Sequence, residues 1–223
     1  MWPRRMPSVR SFAVAAVVIA AAGRTRMRML RWGATDDELD LNLPGDDMLR
    51  RADVVATRSV TIRATPGDVW PWIVQLGQSR GGFYTYDFLE NLVGADIHNS
   101  DSITPEWQHI EVGDEVKLAP EAGLSVALVE PNRALVLHGG IQMGPIASPF
   151  DFTWAFVLLE TQDGSTRLVV RERYMYLRGW ARLIVEPTGV IAFVMTERML
   201  RGIKKRAERT VSAHSTQVVA PAA

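Results

Sequence analysis

Two hydrophobic rhythms alternate along the chain from residue 54 onward. VVATRSVTIRA (Val54 to Ala64) is β-branched with polar residues interleaved, and predicts a first strand. Thr65 then suits an N-cap, Pro66 the first helical position and Asp68 the third, where its carboxylate meets the positive end of the helix dipole. That helix is short, because Pro71 falls inside it and Gly77 can end it. Phe83 to Gly94 (FYTYDFLENLVG) reads as a second short helix, and Ala95 to Gly113 as a polar stretch. Four strands follow at Glu115 to Leu118, Leu124 to Val129, Ala134 to His138 and Phe152 to Glu160. The Asp-Gly turn in QDGS (Gln162 to Ser165) then pairs a further strand, Thr166 to Tyr176, antiparallel with the one before it. Glu186 to Arg209 reads as one long helix, apolar nearly all round at first and basic in its last turns. Strands in succession with a helix on one side predict an α+β fold: a curved antiparallel sheet of six to seven strands around a long C-terminal helix, with two short helices after the first strand. Such a curved sheet leaves a hollow against the helix.

The ends have a different texture. Residues 1–31 carry seven arginines and no acid, and residues 32–49 six acids and no base. Ser11 to Ala22 (SFAVAAVVIAAA) would make a helix only about 18 Å long, against a hydrocarbon core of about 30 Å. Three readings fit residues 1–31: a membrane-contacting segment, a signal-like sequence, or an extension ahead of an internal start at Met27 or Met29. The downstream arginines argue against export, which points to a cytoplasmic, membrane-associated chain. Residues 32–52 read as an acidic extended arm lying on the domain, anchored by Trp32. Residues 53–209 form the domain proper and 210–223 a disordered tail.

Bulk numbers narrow the function classes. The formal charge is zero, 47% of residues are apolar and there is no cysteine, which excludes disulfides and thiolate chemistry. No global field recruits nucleic acid, and no phosphate-binding loop or dinucleotide fingerprint is present. Asp96, His98, Asp101, Glu106 and His109 lack the compact spacing of metal motifs, so neither metal nor cofactor is expected.

Seven of the chain's eighteen aromatics lie between Trp70 and Trp107. Most of such a cluster packs helices on a sheet, and the remainder lines a cavity mouth. Trp70 and Trp72 are two apart, so only one is expected to face inward. In TRLVVRERY (Thr166 to Tyr174), alternation sends Glu172 to the concave side and Arg167, Arg171 and Arg173 to water. An inward carboxylate is a candidate general acid or base. Its plainer role is to pair with an arginine near the strand end. On the paired strand Trp154, Phe156 and Leu158 point inward.

The stretches SVTIRATPGDVWPWI, GGFYTYDFLENLVG, PEWQHIEVGDEVKLAP, VEPNRALVLHG, FTWAFVLLE with GSTRLVVRER, and RMLRGIKKRAE together resemble the SRPBCC or START-like superfamily, in particular its actinobacterial branch, over about Trp32 to Glu208. The resemblance implies a helix-grip fold whose cavity binds lipids, polyketides, sterols or other apolar molecules. Its members run from carriers to cyclases and hydratases, so the fold leaves the activity open. The expectation is a carrier- or sensor-type binder of a hydrophobic small molecule or lipid, held between sheet and C-terminal helix by Trp72, Tyr86, Phe88, Trp107, Trp154, Phe156, Val170, Glu172, Tyr174 and Phe193. The short helices around Pro71 and Gly94 would act as a lid hinged at Gly81 and Gly82. Two alternatives stand beside it: a cyclase- or hydratase-like enzyme using Glu172 with Tyr86 or Tyr174, and an interaction protein recruited to membrane through residues 1–31.

Overall fold

A computed structural model describes the backbone of residues 9–86, 91, 96–140 and 147–219, with side chains except in 9–19 and 213–219. Six strands form one sheet: β1 (Val54–Ile62), β2 (Glu115–Ala119), β3 (Ala122–Glu130), β4 (Ala134–Gly139), β5 (Phe150–Glu160) and β6 (Thr166–Tyr176). Their order is β1-β6-β5-β4-β3-β2, and every pair is antiparallel. The β5–β6 hairpin closes where Asp-Gly placed it, with Glu160 opposite Thr166. Asp163 accepts hydrogen bonds from Thr161 and Ser165, which hold its carboxyl down at about 2.

Four helices can be traced among the described residues: α1 (Val9–Leu30), α2 (Asp36–Asp40), α3 (Pro66–Val74) and α4 (Arg182–Val219). Thr65 caps α3 in a reciprocal capping box with Asp68, as its sequence predicts. The helix ends at Val74, so Gly77 does not terminate it. Gly77 and Gly82 instead exchange backbone hydrogen bonds of 3.1 Å. Gly81 and Gly82 therefore sit in a locked turn, packed on Gln75 and Asn99, and do not serve as hinges. Nor is α3 a lid, since Trp72, Ile73 and Val74 are core while Trp70 is half-buried. Residues 83–86 of the second predicted helix are irregular, with Tyr84 at φ 58°. Most of the rest of that helix, Phe88 included, lies outside the described residues.

The concave face of the sheet carries the main core. Met199, Leu200, Ile203 and Ala207, on one face of α4, belong to the same buried cluster as Ile62, Leu168, Phe156 and Trp72. At Gly202 a Cβ would lie 2.5 Å from the carbonyl oxygen of Tyr84. Gly202→Ala is therefore expected to lower stability by about 1–3 kcal/mol, read from the urea midpoint at unchanged m-value, because backbone cannot give way as a side chain can.

The convex face departs from expectation. Arg167, Arg171 and Arg173 do not stand free in water, because the acidic arm roofs them, Arg171 fully and the other two in part. Arg171 is buried, donating to Thr57 Oγ1 (3.0 Å), the carbonyls of Glu38 (2.8 Å) and Leu41 (2.7 Å), and Asp46 (2.5 Å). Arg167 reaches Glu38 at 2.7 Å and Arg173 reaches Asp46 at 3.2 Å. Leu43 completes a second apolar cluster on this face with Ala134, Val136, Ala155, Val157 and Val169. The arm itself is locally built, since Thr35 and Glu38 form a capping box that starts α2. Trp32 packs on the core edge with Arg201 over its ring.

Two helix boundaries differ from the pattern. α4 starts five residues before Pro187 and runs to Val219, into the stretch expected as a tail. α1 is longer than Ser11 to Ala22, and at 22 residues reaches roughly 33 Å. Among the described residues no helix is long and apolar enough to cross a membrane.

Candidate functional site

The two halves of α4 behave differently. Its C-terminal half is sunk in the sheet, whereas between Arg182 and Met195 only Val185 is buried. The concave face thus stays partly open at one end. Trp154, Tyr174 and Tyr176 are half-buried there, while Phe156 and Val170, further in, are fully covered.

Strand register places an aromatic strip along this end. Trp154 stands opposite Glu172, Phe152 opposite Tyr174 and Phe150 opposite Tyr176. Ring centroids are 4.6 Å apart for Phe152 and Tyr174, 4.9 Å for Trp154 and Phe156, and 6.0 Å for the stacked pair Phe83 and Trp154. Two polar atoms of the strip, Trp154 Nε1 and Tyr176 Oη, are buried without a hydrogen-bond partner among the described residues. Orphans of this kind carry a cost that a ligand or water relieves.

Beneath α4 the strip ends in a buried ion pair. Glu172 Oε1 accepts from Arg58 Nη1 and from Thr196 Oγ1, each at 2.7 Å. Arg58 Nε donates in turn to the carbonyl of Met29 at 3.0 Å, which ties the last turn of α1 to the sheet. The Arg58 guanidinium also lies 5.8 Å from the Phe193 ring centroid. Glu172 does face inward, and it pairs with an arginine, but in the interior and not at a solvated strand end. Tyr174 stands beside it. Burial first, then the charge of Glu172, keeps the Tyr174 phenol well above its ordinary value, so it stays protonated.

A cavity of about 330 Å³ opens between α1, the start of β1 and the first turns of α4. Its walls are Ala22, Thr25, Arg26, Met29, Leu30, Val54, Val185, Glu186, Gly189 and Val190. Val54 is the cross-strand neighbour of Tyr174, so the cavity adjoins the aromatic strip. Its polar side is the Arg26–Glu186 pair, 3.4 Å apart. Burial, followed by the charges of Glu186 and Asp53, raises the Tyr176 phenol, which places that orphaned hydroxyl in the field of the same pair.

Of the ten residues expected to contact a ligand, the structure gathers Trp154, Glu172, Tyr174 and Phe193 near this end. Trp72, Phe156 and Val170 are interior packing. Tyr86 is exposed under Arg198, 5.2 Å from its ring, so it does not stand with Glu172. Trp107 lies on a short 3-10 turn at Pro105–Trp107, where its carbonyl accepts from Arg80. His98 and His109 form exposed pairs with Asp96 and Glu111. Among the described residues, no three metal-ligating side chains cluster. The cavity walls on α1 escaped the sequence reading because that segment was set apart from the domain. Arg58 had a legible signal, since it stands in phase with inward Val54, Ala56, Val60 and Ile62.

No protein-family model and no curated protein matches the chain. Among solved structures, it is similar to a protein of Mesorhizobium loti at 15% identity, covering 70% of this chain and 98% of that one, with a TM-score of 0.43. A protein of Mycobacterium smegmatis gives 13% identity, 68% and 89% coverage and 0.44. A point mutant of norcoclaurine synthase from Thalictrum flavum, in complex with a transition-state analogue, gives 16%, 70% and 95%, and 0.43. The chain has a helix-grip fold. That statement rests on its own architecture, a curved antiparallel sheet closed over a long terminal helix, and scores of this size carry nothing further about the site.

Proposed function

We propose that the protein binds a hydrophobic small molecule or lipid at the open end of the helix grip, as a carrier or sensor rather than a catalyst. The observation that carries this reading is the 330 Å³ cavity with mostly aliphatic walls and one polar side. It falls at the lower end of the range for small-molecule sites, about 300–1,000 Å³, and burying an apolar guest there gains about 25 cal/mol per Å². The reading differs from the sequence expectation in place. Its cavity stands beside α1, at the end of the grip, while the interior under the second half of α4 is filled by the protein's own side chains.

A catalytic Glu172 is the less supported alternative, because its carboxylate is already committed to Arg58 and Thr196. Recruitment to membrane through residues 1–31 is favoured by the exposure of Arg24 and Arg28 on α1.

Gly189 supplies the test. It lines the cavity, and a Cβ there would have no atom within 4 Å, so Gly189→Leu fills the space without a clash. Replacing a helical glycine should also raise stability slightly, by up to about 1 kcal/mol. Native mass spectrometry of the protein purified from its own host is expected to show an apolar adduct. In Gly189→Leu the adduct should fall at least tenfold while Tm holds or rises. Equal adduct on both proteins, or none on either, overturns the reading.

A further inference from the structure

The outward face of α4 is apolar where a solvated helix is normally polar. Leu183, Val190, Ile191 and Val194 lie at i, i+7, i+8 and i+11, which puts them within about a quarter-turn of one another, opposite the buried side of the helix. The loop before α4 adds Leu177 and Trp180. These six side chains are 39% to 69% exposed. Scattered apolar residues on a surface need no explanation, but four on one helix face, with two more in the loop that leads into it, mark a contact face.

Charge around the strip identifies what it contacts. Arg178 in the loop and Arg182 at the start of α4 flank Trp180 in sequence, and Arg24 and Arg28 stand exposed on neighbouring α1. None of the four forms an ion pair among the described residues. Between Arg182 and Thr196 the sole acid is Glu186, which Arg26 already neutralises at 3.4 Å. An anionic bilayer satisfies every feature: headgroups pair with the arginines, Leu177, Leu183 and Ile191 enter the acyl boundary, and Trp180 takes the interfacial level its amphipathic ring prefers.

We propose that the turns of α4 from Leu183 to Val194, with the loop at Leu177 to Ala181, form a docking face for an anionic membrane surface. Docking is peripheral. Because Val190 belongs both to this face and to the cavity wall, a docked molecule presents the cavity to the bilayer. The proposal goes beyond ligand binding and stands without it.

The test is co-sedimentation of the full chain with vesicles of phosphatidylcholine, alone or mixed with phosphatidylglycerol. Binding is expected to the mixed vesicles, to be at least tenfold weaker on the neutral ones, and to fall between about 0.1 M and about 1 M salt as the screening length shrinks from about 10 Å to about 3 Å. Arg178→Gln with Arg182→Gln should weaken binding to mixed vesicles about 25-fold, about fivefold for each arginine near the surface. Leu183→Ser with Ile191→Ser should abolish it on both. All four positions are exposed, so these variants are expected to fold, which circular dichroism checks. Gly189→Leu should bind vesicles as the parent does, and this separates failure of docking from failure of the cavity. Unchanged sedimentation of the serine variant overturns the proposal. So does absence of vesicle binding, with or without a concentration-dependent dimer that Leu183→Ser dissolves; such a dimer would assign the face to a second copy.

Discussion

Glu172→Gln is expected to lower the unfolding free energy by about 3–5 kcal/mol, because it leaves Arg58 as an uncompensated charge in the interior. Arg58 and Glu172 are only 1% and 4% exposed, and a guanidinium cannot shed its proton to escape. Glutamine keeps the volume and a hydrogen-bonding oxygen for Thr196, so the loss reports charge and not a cavity. Glu172→Leu combined with Arg58→Met should recover part of it, since an apolar pair of similar size removes the buried charge, while the Thr196 hydroxyl and the Met29 carbonyl each lose a partner. Because Arg58 also holds the carbonyl of Met29, Glu172→Gln should loosen the end of α1, seen as faster amide exchange in its last turns. The same variant tests the catalytic alternative. A protein that keeps its parent urea midpoint but loses turnover of a substrate would assign Glu172 to chemistry. A large drop in midpoint assigns it to the fold.

The parts of this structure legible in the sequence are those set by neighbouring residues. β6 is found to the residue because the Asp-Gly turn fixes its start and alternation fixes its faces. The α3 cap is found because Thr65, Pro66 and Asp68 state it within four positions. What was not legible depends on partners distant in the chain. Nothing near Arg171 says that Asp46, 125 residues earlier, will cover it. Reading the arginine side of β6 as solvated was reasonable from alternation alone, and failed because an arm of opposite charge supplies a second layer. The start of α4 was misplaced for a local reason. Pro187 looks like a first helical residue, yet one lost backbone bond near the N-terminus is tolerable, and Thr188 Oγ1 donates to the carbonyls of Ile184 (2.8 Å) and Val185 (3.2 Å). The apolar first half of α4 was visible, but an all-round apolar helix is normally buried, so its exposure could not be read from periodicity.

Asp46→Asn should detach the acidic arm. Asp46 accepts from Arg171 (2.5 Å), Arg173 (3.2 Å) and the backbone N–H of Leu43 (2.9 Å), and it is the anion for two arginines at once. Its loss leaves Arg171, with a side chain 3% exposed, facing a neutral amide, for an expected cost of about 3–5 kcal/mol. The cost has two ways to appear. If arm and sheet unfold together, the urea midpoint drops; if the arm peels away first, amide exchange over residues 36–49 rises while the midpoint holds. Acid should act on the same layer through Glu38. Burial would raise this carboxyl, but hydrogen bonds from Arg167, the Thr35 N–H and Ser59, with the charge of Arg167, hold it below its ordinary value. A group depressed in the folded state contributes its stability above its unfolded pKa, about 4.3, and loses it as pH falls through the folded value. Arm exchange, corrected for the intrinsic pH dependence, should therefore stay low at neutral pH and climb below the ordinary carboxylate range. In Glu38→Gln that climb should be smaller and start from a higher baseline. A corrected rate that is flat with pH, or an Asp46→Asn arm as protected as the parent's, would mean that Leu43 and its apolar neighbours hold the layer and the arginines merely sit beneath it.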